Sequence, residues 1–239
     1  MTELRITNYE LRGADQLRKV FVVLPAYNEQ AHITQLVRTL LTGGFQVVVV
    51  NDGSSDSTAD LALQAGAIVL THMVNCGPGA ATQTGLEYAY HHGAEYVVTC
   101  DSDGQHDVAD IKPMLDFMQS QAKDVIFGSR FMQANTIPLL RRLANWVANV
   151  ITFLLSGIYL SDSQSGFKIF SRKAIHHIQI TANGFEFCSE IVREVAERNL
   201  SYAEFPIKVY YTAESLAKGQ NLSTGITTVV KLIVRSLMR

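Results

Sequence analysis

The stretch Val20-Phe-Val-Val-Leu24, followed directly by Pro25-Ala-Tyr-Asn-Glu29, sets the pattern of the first half of the chain. A short and continuous apolar run is typical of a strand that is buried on both faces of a parallel sheet. A polar cluster directly after it lies where such a strand ends. Further apolar runs of this kind span residues 46–50, 67–70, 96–100 and 124–127.

Helical patterns separate these apolar runs, at residues 30–41, 57–65, 79–92 and 110–119. The last of them contains Pro113, which a helix tolerates only in its first turn. The alternation predicts an α/β fold with a doubly wound, mostly parallel sheet, in which ligands bind beyond the carboxyl ends of the strands. The second half is less regular and forms the other lobe of one compact unit. It contains helical patterns at 138–156, 186–198 and 224–239 and one strand at 203–211.

Composition excludes several classes of protein. The chain has 239 residues, a net charge of −2 and three cysteines without metal-ligand spacing. Nucleic-acid binding requires concentrated cations and is therefore not expected. The first twenty residues lack the apolar core of a signal peptide, and residues 143–160 are too polar for a spanning helix, so we read them as a buried or membrane-surface helix. We expect a cytoplasmic protein, peripheral on the inner face of the membrane.

The acidic pair Asp101-Ser102-Asp103 follows the fourth apolar run. Two carboxylates at the end of one strand can point into the same cleft, and their hard oxygens suit Mg²⁺ or Mn²⁺. A cation there neutralises a diphosphate leaving group. Haloacid-dehalogenase-like phosphatases also place two aspartates after a strand, but that strand is their first, and this chain has Gln105 where they carry Thr or Val.

Two other polar clusters follow the first and second strands. Asp52 can accept hydrogen bonds from a nucleobase, and the same stretch can also form a turn that caps the next helix. Tyr27 can stack on a base and Glu29 can bind the base or the ribose. The alternative for this cluster is a helix start with Asn28 as its cap.

Three cations are candidates for binding phosphate groups. Arg130 ends the fifth strand, where an arginine can clamp a phosphate with two hydrogen bonds. Arg142 lies with Arg141 at the start of the long helix, where cations oppose the helix dipole, so the pair serves an anion or is a solvated surface pair. Lys218 lies in a loop that could fold over phosphates; a plain loop lysine is the alternative.

Together these clusters resemble family 2 glycosyltransferases of the GT-A fold, and most of all the dolichyl- or polyprenyl-phosphate sugar synthase branch that dolichyl-phosphate mannose synthase typifies. The motifs that carry the resemblance are Pro25-Ala-Tyr-Asn-Glu29, Val50-Asn-Asp-Gly-Ser54, Gly77-Pro-Gly79, Asp101-Ser-Asp-Gly-Gln-His106, Gly128-Ser-Arg130, Asp162-Ser-Gln-Ser-Gly-Phe167 and Ser215-Leu-Ala-Lys-Gly-Gln220. The resemblance implies a glycosyltransferase domain at 20–222, with a nucleotide half at 20–104 and an acceptor half at 105–222. It is preceded by an extension at 1–19 and followed by an amphipathic helix at 223–239 that contacts the membrane surface, a partner subunit or the domain itself.

The resemblance also implies a role for each site residue. The expected nucleotide-binding residues are Pro25, Tyr27, Glu29, Asp52, Asp101 and Ser102. The expected metal ligands are Asp101, Asp103 and Gln105, and the residues expected to face phosphates are Arg130, Arg142 and Lys218.

The implied reaction is inverting transfer from a UDP- or GDP-sugar to a polyprenyl phosphate in cell-surface glycan assembly. Asp103 and Arg130 are the expected catalytic residues. Transfer to a hydroxyl of a polysaccharide or glycolipid is the alternative, and it requires a general base, for which Asp162 or Glu190 is the candidate. A nucleotide-sugar-binding module without turnover is the hypothesis from another class.

Overall fold

The computed structural model describes residues 17, 19–135 and 137–210, without the side chain of Leu140. Within these residues seven strands form one sheet in the order β3-β2-β1-β4-β6-β5-β7. The strands are β1 (Val20–Ala26), β2 (Gln46–Asn51), β3 (Ile68–Thr71), β4 (Tyr96–Thr99), β5 (Val125–Ser129), β6 (Lys168–Ser171) and β7 (Tyr202–Pro206). All neighbours are parallel except β6, which runs antiparallel to both β4 and β5. The prediction of a mostly parallel α/β sheet is confirmed.

Helices connect the strands. They are α1 (Ile33–Thr42), α2 (Thr58–Gln64), α3 (Pro78–His91), α4 (Ile111–Ser120), α5 (Leu139–Ser156), α6 (Arg172–His177) and α7 (Phe187–Glu197). A 3₁₀ turn, Val108–Asp110, leads into α4 and leaves Pro113 in the first turn of that helix, as expected. Helix α1 begins at Ile33 with His32 at its cap position, so the alternative that made Asn28 a helix cap is wrong.

The strand β6 and the short helix α6 were not predicted from the sequence. Strand β6 has only four residues and begins with a lysine, which interrupts the apolar run on which strand prediction depends. Because β6 inserts between β4 and β5, the fourth and fifth strands are not neighbours in the sheet.

Alternating side chains of the sheet fill a hydrophobic core on each of its faces. Val23 and Val97 point into the core that α3 and α7 cover, whereas Leu24 and Val98 point into the core that α1 and α4 cover. Both faces are therefore closed by helices, and the edge formed by the carboxyl ends of the parallel strands is where a ligand can enter.

Helix α5 has two unlike faces. Asn145, Asn149 and Thr152 are buried against the domain, while Trp146 and Phe153 are exposed. No helix among the described residues is both long and apolar enough to span a bilayer. The loop of Lys218 and the helix predicted at 223–239 lie outside the described residues.

Candidate active site at the carboxyl edge of the sheet

The loops that follow β1, β2 and β4 are joined to one another at the carboxyl edge of the sheet. Ser102 donates its hydroxyl hydrogen to the Pro25 carbonyl oxygen at 2.7 Å. The backbone N–H of Asn28 donates to Ser54 Oγ at 3.0 Å, and the N–H of Asp52 donates to the Ala26 carbonyl oxygen at 2.8 Å. Three separate motifs of the sequence therefore form one continuous surface.

Tyr27 and Glu29 flank Asn28, which has a positive φ of 56°. This left-handed residue turns the chain out of β1, and its side-chain oxygen accepts a hydrogen bond from the Ser55 N–H at 2.9 Å. The Tyr27 side chain is exposed at the edge, where its ring is available for stacking. The N–H of Glu29 donates to Thr58 Oγ1 at 2.8 Å, which ties this loop to the start of α2.

The carboxylate of Asp52 is buried and hydrogen-bonded by the protein itself. Its Oδ1 accepts from the Cys76 N–H at 2.9 Å and its Oδ2 from the Gly77 N–H at 2.7 Å. Asp52 thus holds the glycine loop before α3 against the end of β2. Gly77 is required there, because its φ is +97° and a Cβ would lie 2.3 Å from the Asn183 carbonyl oxygen. Contact of Asp52 with a nucleobase remains a prediction.

Asp52 also forms a cluster with His72 and Cys76 in which three potential metal-ligand atoms lie within 4.8 Å of one another. His72 Nδ1 lies 2.7 Å from Asp52 Oδ1, and His72 Nε2 lies 3.0 Å from Thr84 Oγ1. Because both ring nitrogens have hydrogen-bond partners, we interpret the cluster as a hydrogen-bonded support of the loop. His72 was not predicted as a site residue from the sequence.

The predicted metal ligands lie together in the loop directly after β4. The Asp101 side chain is 53% exposed, and its Oδ2 lies 3.0 Å from His106 Nε2. Asp103 Oδ1 accepts from the Gln105 N–H at 3.0 Å, and its Oδ2 accepts from the Gln105 side-chain amide. His106 packs on the Phe167 ring with a centroid distance of 5.1 Å. The loop therefore presents carboxylate and amide oxygens from three residues.

The carboxyl groups of Asp101 and Asp103 have pKa values shifted in opposite directions. Burial raises the pKa of Asp103, and the nearby charge of Asp101 raises it further. Desolvation by the surrounding protein atoms also acts to raise the pKa of Asp101, but the hydrogen bond and charge of His106 and the charges of Lys168 and Arg130 outweigh it, and the pKa is lowered. A divalent cation relieves repulsion between close carboxylates, and hard oxygen ligands suit Mg²⁺ or Mn²⁺. The donor set therefore fits the predicted ion.

Arg130 follows β5 and forms a buried ion pair. Its Nε and Nη2 donate to the two oxygens of Asp162 at 2.6 and 2.7 Å. Asp162 is 0% exposed, and both of its carboxylate oxygens accept hydrogen bonds from Arg130. In this structure Asp162 holds the guanidinium of Arg130, and its role as a general base stays a prediction. The other candidate base, Glu190, accepts hydrogen bonds from Thr181 and Ala182 and holds that loop.

Helix α5 borders this ion pair. Asn145 Oδ1 lies 3.5 Å from Arg130 Nη2, and Asn149 donates to the Ser161 carbonyl oxygen at 2.7 Å. Arg142 is exposed less than one turn before Asn145. Successive residues of an α-helix point in directions about 100° apart, so Arg142 lies about 60° around the helix axis from Asn145. Arg142 therefore lies between the buried polar face of α5 and its exposed apolar face.

Two charged residues near the site, the half-buried Glu204 and the fully buried Lys168, were missed from the sequence. Glu204 of β7 accepts from the N–H groups of Ser161 and Asp162, at 2.8 and 3.3 Å. Lys168 is fully buried behind the Asp101 loop. The only available signal for Lys168 was a cation within the apolar run 167–170.

Comparisons with known proteins show the family of the chain. A profile of Glycosyl transferase family 2 matches residues 21–179. The UDP-N-acetylglucosamine–dolichyl-phosphate N-acetylglucosaminyltransferase of Methanococcus voltae is 33% identical over 92% of this chain and 96% of its own. The polyprenol monophosphomannose synthase of Mycolicibacterium smegmatis is 26% identical over 91% of this chain and 88% of its own.

Solved structures show the same fold. The crystal structure of glucosyl-3-phosphoglycerate synthase from Mycobacterium tuberculosis in complex with Mn²⁺, UDP and phosphoglyceric acid has a TM-score of 0.67 at 19% identity, covering 98% of this chain and 84% of that one. The GT-A fold expected from the motifs is confirmed. The chain belongs to glycosyltransferase family 2, and its relatives include the polyprenyl-phosphate sugar transferases that its motifs resemble.

Proposed function

We propose that this glycosyltransferase moves a sugar, with inversion, from a UDP- or GDP-sugar to a polyprenyl phosphate during cell-surface glycan assembly. One observation carries the proposal. The carboxylate pair of Asp101 and Asp103 follows β4 at the carboxyl edge of the sheet, between Tyr27, which follows β1, and the Asp162-bound guanidinium of Arg130, which follows β5. This order along one edge supports a base-stacking group, a cation site and a phosphate-binding group next to one another.

On the donor side, Asp101, Asp103 and Gln105 are the residues that would hold Mg²⁺ or Mn²⁺. Such a cation neutralises the diphosphate and stabilises the charge that develops on it as it leaves. Tyr27 stacks on the base, and Glu29 and Asp52 lie beside it. The hydrogen bond between Ser102 and Pro25 joins the loop that would bind the base to the loop that would bind the diphosphate. The Mn²⁺ and UDP bound to the Mycobacterium tuberculosis enzyme support this arrangement.

On the acceptor side, Arg130 and Arg142 bind an anionic group. Asp162 holds the guanidinium of Arg130 through two hydrogen bonds, which leaves little orientational entropy to lose when an anion binds. A phosphate acceptor is ionised near neutral pH and needs no general base. Its oxygen attacks the anomeric carbon on the side opposite the departing nucleoside diphosphate. A phosphate acceptor is consistent with the burial of Asp162, whereas a hydroxyl acceptor requires a base at the cleft.

The exposed face of α5 supports contact with a membrane surface. Leu143, Trp146, Val150 and Phe153 are exposed at helical spacing. Helix α5 contains two arginines and no acidic residue, as expected for a helix that lies on an anionic lipid surface. The acceptor phosphate of a lipid lying there would meet Arg142 at the border between the two faces of the helix. We therefore propose a peripheral protein on the inner leaflet.

Binding and transfer assays test the donor and the acceptor separately. Calorimetric titration with UDP and GDP, each with and without Mn²⁺, should show metal-dependent binding of one nucleotide. Transfer from the matching nucleotide sugars is then measured with a polyprenyl phosphate and with the corresponding free polyprenol. Transfer to the phosphate alone is expected. Transfer to free hydroxyls would support the alternative acceptor, and binding without turnover would indicate a nucleotide-sugar-binding module.

Sedimentation with lipid vesicles tests the membrane contact. Leu143→Ser should reduce binding to vesicles of phosphatidylglycerol and phosphatidylethanolamine, because it removes apolar surface from the exposed face of α5. Leu63→Ser is the matched control, since Leu63 is a similarly exposed leucine, on α2. Equal losses of binding in the two variants would contradict a role for α5.

A further inference from the structure

Lys168 is a fully buried cation in the middle of the sheet. It is the first residue of β6, and its side chain is 0% exposed. Its Nζ donates to the Ser165 carbonyl oxygen and lies 3.6 Å from Cys188 Sγ and 5.8 Å from the centre of the Phe187 ring. No carboxylate of the described part of the chain lies within ion-pair distance of it.

Stability alone does not account for a lysine at this position. Removing an ammonium group from water costs several kcal/mol, and only a well-placed anion or several hydrogen bonds can offset that cost. The other residues of the same run, Phe167, Ile169 and Phe170, are apolar and buried. An apolar residue would continue this pattern without the desolvation penalty.

The contacts of Lys168 lead directly to the predicted metal ligands. Lys168 holds the Ser165 carbonyl, and the next residue, Gly166, accepts a hydrogen bond from Thr99 Oγ1 at 2.8 Å. A Cβ on Gly166 would lie 2.2 Å from Asp101 Oδ1. The Asp101 carboxylate therefore packs against the backbone of this turn. The positive charge of Lys168 also attracts that carboxylate.

We propose that Lys168 is a positioning residue of the donor site, which fixes the Ser165–Gly166 turn against Asp101 and supplies a buried positive charge beneath the carboxylate pair. The inference rests on the proposed function, because it takes a nucleoside diphosphate with its divalent cation as the ligand. Lys168 does not touch this ligand. It acts through the position of Asp101 and through the electrostatic potential of an ammonium group that is itself shielded from solvent.

The variant Lys168→Met separates a positioning role from a structural one. Methionine has a similar length and carries no charge, so the buried site loses its desolvation penalty. We expect an equal or higher melting temperature, together with a dissociation constant for UDP or GDP with Mn²⁺ that rises about tenfold. In steady-state assays the KM for the donor should rise more than kcat falls, because an interaction that aids donor binding is lost.

Lys173→Met is the matched control. It makes the same substitution only five residues away, but the Lys173 side chain is 58% exposed and pairs with Asp124 at 2.9 Å. Both variants change the net charge equally, so a general charge effect would weaken nucleotide binding in both. We expect wild-type affinity in the control.

Three results would overturn the inference about Lys168. They are unchanged affinity in Lys168→Met, a loss of affinity accompanied by a melting temperature several degrees lower, and an equal loss in Lys173→Met. Titration of the wild-type protein distinguishes these three results from a failure of the proposed function. If wild-type protein binds neither UDP nor GDP with Mn²⁺, the proposed donor is wrong and the inference is wrong with it.

Discussion

The ion pair between Arg130 and Asp162 allows a sharp test of how the acceptor site is built. Asp162→Asn keeps the shape of the side chain and removes its charge. Breaking a buried pair by removing one partner costs about 3–5 kcal/mol. The Asp162 side chain is 0% exposed and that of Arg130 is 23% exposed, so solvent partly compensates the remaining guanidinium. We therefore expect a loss of about 3 kcal/mol, equivalent to a fall in melting temperature of about 6–12 °C for a chain of this length.

A double-mutant cycle with Arg130→Met measures the pair itself. The double variant should lose less stability than the sum of the single variants, with a coupling energy of about 2 kcal/mol. The pair of Lys173 and Asp124, whose lysine is 58% exposed, is the control and should give about 0.2–1 kcal/mol. Urea denaturation of the four proteins in each cycle provides the free energies of unfolding.

Kinetic assays distinguish the two roles that Asp162 could have. If Asp162 positions Arg130, Asp162→Asn should raise the KM for the polyprenyl phosphate and have little further effect in an Arg130→Met background. If Asp162 were a general base, Asp162→Asn would lower kcat with little change in the KM for the acceptor and would remove the acidic limb of the pH–rate profile. That result, or additive stability losses in the cycle, would refute the positioning role.

The remaining predictions concern three glycines and the carboxylate of Asp124. Gly166→Ala should lower Mn²⁺ affinity, measured by electron paramagnetic resonance, about tenfold or more, because a Cβ would lie 2.2 Å from an Asp101 oxygen. Gly77→Ala should destabilise the protein by about 3 kcal/mol and Gly93→Ala by only about 1 kcal/mol in urea denaturation, since both have a positive φ but only the first site lacks space. Burial acts to raise the pKa of Asp124, but hydrogen bonds from a serine and a lysine outweigh it and lower the pKa below its usual 3.8. This stabilisation is present above pH 3.8 and is lost as the pH falls through the lower folded-state pKa, so the difference in melting temperature between wild type and Asp124→Ala should shrink from pH 6 to pH 3.

The strands β1 to β5 were predictable because each of them contains a continuous apolar run. A strand that is buried on both faces consists mainly of apolar residues. Such residues make up most of β1, β2 and β4. Strand β6 was missed for the opposite reason. It begins with a buried lysine, and its antiparallel position between β4 and β5 depends on pairing between segments about seventy residues apart, which no local pattern records.

The positions of the site residues were more predictable than their partners. Asp101 and Asp103 were found because they directly follow a recognisable strand. The partner of Asp162 was not predicted, since nothing in the sequence indicates that Arg130, thirty-two residues earlier, binds both of its oxygens. The same holds for Asp52, whose contacts with His72 and the Gly77 loop become visible only in the folded chain.

The two faces of α5 connect the proposed acceptor to its chemistry. Asn145 contacts the Arg130 guanidinium, and its neighbour Trp146 is 62% exposed. An α-helix with its side chains is only about 10 Å across. An isoprenoid chain lying along the exposed face could therefore place its phosphate at Arg142 and Arg130 while its hydrocarbon stays in the lipid. On this geometry only the phosphate must leave the membrane surface, and the protein needs no tunnel for the isoprenoid chain.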